Sequence, residues 1–174
     1  MDKGIDSFND SGSDSDVATN SQYTELQTAI IKCDLEFVKR NVDAKAVIVI
    51  EGLPLLHYVI KQNKFDIASY LIASGANVNQ LNSQSQNSLH VAAEVGNVNI
   101  VGLCLQHGAK IDARDKKGFT PIHIAAMHGH ATVLSMLYLK KANLDVRDNK
   151  GRTPLMLACL DDNIIVHPIH TLDP

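Results

Sequence analysis

The feature that most constrains this 174-residue chain is a short segment that returns at a fixed spacing. Its clearest copy is Gly118–His130, reading G-F-T-P-I-H-I-A-A-M-H-G-H. Thr120 carries the hydroxyl of a helix N-cap, and Pro121 fits the first helical position, where its missing N–H and fixed φ cost little. Ile122, Ala125 and Ala126 then give the helix a narrow apolar face, and Gly129 supplies a left-handed residue that ends it after about two turns. A second helix is predicted over Ala131–Leu139, with Val133, Leu134, Met136 and Leu137 as its apolar side. Two helices this short cannot bury their faces against each other alone, so neighbouring copies must cover them.

Those copies are present. Gly151–Cys159 lies 33 residues further on and Asn87–Gly96 lies 33 residues back. One more step back gives Leu55, Leu56, His57 and Tyr58, and a divergent copy starts near Leu26, only 30 residues before Leu56. Polar turns around Gly75, Gly108 and Ala142 separate them. A unit of this length, with helix, turn, helix and hairpin and a T-P-L-H signature, resembles the ankyrin repeat. The resemblance runs from about residue 21 to about residue 162 and implies an all-α solenoid of about four repeats plus a truncated fifth. Its expected boundaries are a leader over 1–20, a divergent N-terminal capping repeat over 21–52, repeats over 53–85, 86–118 and 119–151, and a truncated repeat and tail over 152–174.

The two ends depart from the pattern. In the first repeat Cys33 stands where glycine is expected, and the apolar run ending at Ile50 is expected to take the place of the usual hairpin. Terminal repeats are commonly atypical because one face has no neighbour, so this unit is assigned as a cap. The second repeat has Pro54-Leu55 for Thr-Pro and Asn63 at the helix-ending position, where Asn tolerates the left-handed conformation. The third has Asn87 as a competent cap. In the fifth, Asp162 replaces the terminating glycine and Pro168 would interrupt a second helix. The expectation there is either an improvised cap or a piece of a longer array.

Residues 1–20 hold five Asp, one Lys and four Ser, which leaves the repeats near neutral, at about +1. Such a stretch cannot bury enough surface to offset its ordering entropy, so disorder is expected. Asp10-Ser11-Gly12-Ser13-Asp14-Ser15 is similar to a doubly phosphorylated degradation motif, which makes Ser11 and Ser15 candidate phosphorylation sites beside the plain alternative of a solubilising leader. No apolar run approaches the ~20 residues of a membrane span, and the N-terminus lacks the order of a secretory signal. An intracellular protein, cytoplasmic or nuclear, is expected. Cys33, Cys104 and Cys159 show no paired spacing and are expected to be reduced thiols in or near the core.

His57, His90 and His123 recur with the repeat, which could be taken for a metal set. Side chains one repeat apart stand about 10 Å from one another, too far to share a zinc with bonds of about 2.1 Å. The family resemblance implies instead that they tie the turn to backbone. Thr120, Pro121, His57, His90, His123, Gly96 and Gly129 are therefore structural candidates. No phosphate-binding loop, nucleophile elbow or zinc-helix motif occurs, so neither catalysis nor a metal or cofactor is expected.

What remains is surface. In the ankyrin family partners contact the hairpin tips and the exposed side of each first helix, and that resemblance carries the role to Lys61, Gln62, Gln84, Gln86, Glu94, Val95, Lys116, Lys117, Phe119, Met127, His128, Lys150 and Arg152. Arg114 and Arg147 flank two tips, and Asp115 and Asp148 are expected to order the turns. Phe119, Met127 and Val95 would give an apolar centre with a polar surround, the anatomy of a protein-binding patch. The expected partner is a protein, through an acidic or extended segment. Nucleic acid is disfavoured because a near-neutral body lacks a broad positive field. Two further readings stay open. The words around Leu56, Leu81, His90 and Thr153 resemble the N-terminal ankyrin region of ankyrin-containing palmitoyltransferases, which would make the chain a substrate-recruiting part. The other is a free-standing scaffold or inhibitor regulated through its acidic leader.

Overall fold

A computed structural model describes residues 24–46 and 48–160. Its helices come as successive hairpins: α1 (24–31) with α2 (Leu35–Asn41), α3 (Leu55–Lys61) with α4 (Phe65–Ala73), α5 (Ser88–Val95) with α6 (Val98–Gln106), α7 (Pro121–Met127) with α8 (Ala131–Leu139), and then α9 (Pro154–Leu160). The first helices of the repeats pack side by side in the order α3, α5, α7, α9, and the second helices in the order α2, α4, α6, α8. This two-layer stack is the all-α solenoid read from the 33-residue period.

The core is a set of rows running through the stack. Val59, Ala92 and Ala125 share one register position, Ile67, Ile100 and Val133 a second, and Leu71, Cys104 and Leu137 a third, and all nine are buried. Alanine in the inner row lets the first helices approach closely, and the larger aliphatics fill the gap to the outer layer. The rows end at α9, where Leu155 is 67% exposed although its register mates Leu56, Leu89 and Ile122 are buried. Among the described residues nothing follows α9 to cover it.

The turn closing each first helix needs a left-handed residue. Cys33, Asn63, Gly96 and Gly129 supply it with φ of 59°, 57°, 78° and 68°. The backbone demand therefore persists where the residue type does not. At Gly96 crowding adds to the demand, since a Cβ there would lie 2.5 Å from the His130 ring.

One expectation is corrected. The first repeat does have a hairpin: β1 (Val49–Ile50) pairs antiparallel with β2 (Leu53–Pro54), Val49 opposite Pro54 and Ile50 opposite Leu53. The apolar residues alternate, Ile50 inward and Val49 outward, as strands require. Glu51 and Gly52, with φ of 52° and 76°, form the two-residue turn whose twist suits a hairpin.

The repeats are tied together by the recurring histidines, all three fully buried. The Nε2–H of His57 donates to the Gln86 carbonyl at 3.0 Å, that of His90 to Phe119 at 3.1 Å and that of His123 to Arg152 at 3.1 Å. Each bond reaches 29 residues ahead, into the finger of the following repeat. Nδ1 of His90 and of His123 accepts the backbone N–H of Asn87 and Thr120, both at 3.2 Å, and the Thr120 hydroxyl reaches the same nitrogen at 2.9 Å. So Thr120 caps its helix jointly with His123 in a capping box. At the third site Pro54 has neither N–H nor hydroxyl, and His57 Nδ1 is buried without a partner.

Burial pushes all three imidazoles below their ordinary value of 6.5, with the facing carbonyl pulling each one partly back. At His90 and His123 a second proton would also put a donor on Nδ1 against the backbone N–H it now accepts. The folded state refuses protons that the unfolded chain accepts, so stability is full above pH ~6.5 and is lost as pH falls below it. Urea midpoints measured from pH 8 to pH 5 should hold steady and then drop through about pH 6.5, with a shallower drop in His90→Gln; a midpoint constant across that range would contradict the ladder.

Candidate functional site

The fingers between repeats are built by one side-chain device used three times. Oδ1 of Asn82 accepts the N–H groups of Gln84 at 2.9 Å and Gln86 at 3.0 Å. Oδ1 of Asp115 does the same for Lys117 at 2.9 Å and Phe119 at 2.8 Å, and Oδ1 of Asp148 for Lys150 and Arg152, both at 2.8 Å. A short oxygen acceptor two residues before the tip thus replaces the bonds that the tight turn denies the backbone. Burial raises the Asp148 carboxyl, but the Arg152 backbone and guanidinium and the Lys150 N–H outweigh it and hold the group below the usual carboxylate range.

Adjacent fingers are then bonded to one another. Lys116 N–H donates to the Gln84 carbonyl at 3.0 Å, and Asn149 donates through its backbone to Lys117 and through its side chain to Lys116, both at 3.0 Å. Gly118, with φ of 79°, has no room for a side chain, since a Cβ would meet Asn149 and the Arg114 guanidinium. The tips are consequently fixed in register, and what varies is the chemistry they display.

Most of the residues expected to contact a partner do lie at this surface. Lys61, Gln84, Glu94, Lys116, Lys117, His128 and Lys150 are exposed, and Gln62, Gln86, Val95 and Met127 are half-buried. Two of them are held in place: the His130 Nε2–H of the next repeat donates to the Glu94 carbonyl at 2.9 Å, and the His128 ring stacks on His130 of its own repeat with centroids 5.9 Å apart. The leader serines Ser11 and Ser15 lie outside the described residues, as does the second half of the fifth repeat, where truncation is expected.

Three readings change. Phe119 is not an exposed anchor: it is 8% exposed, with its ring beside His123 at 5.8 Å and the Arg152 guanidinium 5.6 Å above it. The apolar centre expected of Phe119, Met127 and Val95 therefore loses its largest member. The arginines are not free either. Arg152 pairs with Asp148 at 2.7 Å, Arg114 donates to the Arg147 carbonyl at 2.7 Å and Arg147 to the Gly151 carbonyl at 2.9 Å, so they brace the fingers while their stems stay on the rim. Finally, of the thiols expected near the core only Cys104 is buried, its pKa pushed up to about 12 by burial; Cys33 and Cys159 are exposed, Cys33 in the turn itself and not on a helix.

Two rim residues escaped the sequence reading. Leu81 occupies the register of Arg114 and Arg147, and Glu51 that of Gln84, Lys117 and Lys150. Extending the 33-residue step through the first hairpin would have found Glu51; it was hidden because that segment was not read as a finger.

Among the described residues no three His, Cys, Asp or Glu converge as metal ligands, and no helix is long and apolar enough to cross a membrane. The family model for ankyrin repeats (3 copies) matches residues 17–115 and 89–167. The chain belongs to the ankyrin-repeat family, whose repeats are generally protein–protein interaction modules. No curated protein matches the chain.

Because Phe119 is framework, Phe119→Ala should cost about 3 kcal/mol of stability, the usual range for a buried aromatic truncated to Ala. Urea denaturation checks this; a loss under about 0.5 kcal/mol, typical of a surface site, would return Phe119 to the exposed rim.

Proposed function

We propose that the chain is a non-catalytic binding module that holds a partner protein on the face made by the finger tips and the exposed ends of α3, α5 and α7. One observation carries this reading. The groups that build the fingers are saturated by internal bonds, whereas Lys116, Lys117 and Lys150 stand exposed at the tips with no ion-pair partner among the described residues. The nearby carboxylates cannot balance them, since Asp115 and Asp148 are buried and spent on backbone N–H groups.

Unpaired basic tips on a rigid frame favour an acidic or extended segment of a partner, because little ordering cost remains on the module's side. The near-neutral body speaks against nucleic acid, whose phosphates demand a broader positive field.

The test compares partner retention by the full chain, by Lys116→Glu/Lys150→Glu and by Asp66→Lys on the outer layer, with quantitative mass spectrometry of the retained proteins. Proteins lost about tenfold or more from the finger variant, yet kept by the outer-layer variant, are the expected result, with helical circular dichroism unchanged; two charge reversals at rim pairs reach that size. Equal retention by all three would remove the finger tips from the site.

A further inference from the structure

Along the stack the fingers change character in a single step. No formally charged residue occurs between Asp66 and Glu94. The finger within that stretch shows Leu81, 55% exposed, with Ser83 and Gln84 at its tip. The next finger puts Arg114 in the register of Leu81 and Lys116 and Lys117 at the tip, and the one after puts Arg147 and Lys150 in the same places. An exposed leucine beside an uncharged tip is thus followed by two basic fingers, and bonds between the Lys116 N–H and the Gln84 carbonyl and between the Asn149 N–H and the Lys117 carbonyl lock these three surfaces in fixed order.

We propose that the segment recognised here is an extended peptide with two parts: an apolar side chain placed against Leu81, then carboxylates placed on the two basic fingers. The inference rests on reading the fingers as the binding face and adds the order and spacing of the ligand's groups. The first helices pack side by side, which sets successive repeats, and with them successive fingers, about 10 Å apart. An extended chain advances about 3.3 Å per residue, which puts about three ligand residues on each finger. The carboxylates therefore sit about three and about six residues from the apolar residue. A uniformly acidic peptide would leave Leu81 uncovered, and a uniformly apolar one would desolvate Lys117 and Lys150 without pairing them.

The probe is a labelled synthetic peptide of serine and asparagine carrying one leucine, a pair of glutamates about three residues away and a second pair about six residues away. Binding to the full chain is read by fluorescence anisotropy. Replacing the peptide's leucine by serine should weaken binding about tenfold, and so should doubling the spacer. Leu81→Ser, an exposed substitution that leaves the core intact, should cost the same factor with the leucine peptide and nothing with the serine peptide. Lys117→Glu/Lys150→Glu should remove the dependence on the glutamates. Binding that needs the glutamates but ignores the leucine and the spacing overturns the two-part ligand and leaves the basic-finger reading standing. Binding that ignores the glutamates, or the absence of binding to the wild-type chain, overturns the inference outright, while retention of partners by the finger variant judges the broader reading separately.

Discussion

The bond from a buried histidine to a carbonyl 29 residues ahead is the constraint on which the rest of this molecule depends. It begins on a fully buried imidazole, which at His90 and His123 also closes the capping box of its own repeat, and ends on the backbone of the next. A buried imidazole whose partner is removed costs on the order of 1–3 kcal/mol, so each repeat is worth having only beside its successor. Stability of such an array is mainly a matter of neighbours, and the histidines make the neighbour relation directional. The series also shows its own limits. Pro54 leaves His57 with one unpaired nitrogen, and in the fifth repeat Met156, about half exposed, stands in the histidine register with no proton to donate.

From this follows the division of labour at the fingers. The carbonyls of Gln86, Phe119 and Arg152 that receive the histidines belong to the same turns that Asn82, Asp115 and Asp148 shape from the other side. Each turn is therefore over-determined, with its backbone held from the helix layer, from its own acceptor and from the neighbouring tip. Side chains at the tips contribute little to that frame and are free to differ: glutamate at the first hairpin, glutamine at the second finger, lysine at the third and fourth. A surface arranged in this way binds without much ordering of its own, and the cost of association falls chiefly on the partner.

How much of this was legible in the sequence depended on whether a residue answered to backbone geometry or to its neighbours. Helix starts and stops obey local rules, and α8 fills Ala131–Leu139 as its apolar pattern predicts. Asn63 reads as a stand-in for glycine and Cys33 as a departure from it, and both have positive φ. The hairpin at Val49–Pro54 is hidden because a run of β-branched residues reads as replacing a turn when it builds one strand of it. Phe119 was misplaced for another reason: its register belongs to the rim, and only the approach of Arg152 from the next finger and His123 from below encloses it. The bracing of Arg114 and Arg147 was equally invisible, since their acceptors are carbonyls 33 and 4 residues away that no motif marks.

If the tips are the site, position on the molecule should decide which residues touch a partner, whatever that partner is. The most direct measurement is site-specific photo-crosslinking in cells, with a photoreactive residue placed singly at Gln84, Lys117 and His128 on the finger face and at Asn99 and Thr132 on the outer helices. All five are exposed or at an exposed turn, so the frame is undisturbed. A common adduct is expected from the three finger-face positions and none from the two outer ones. The same adduct formed only from the outer helices would contradict the finger-tip site.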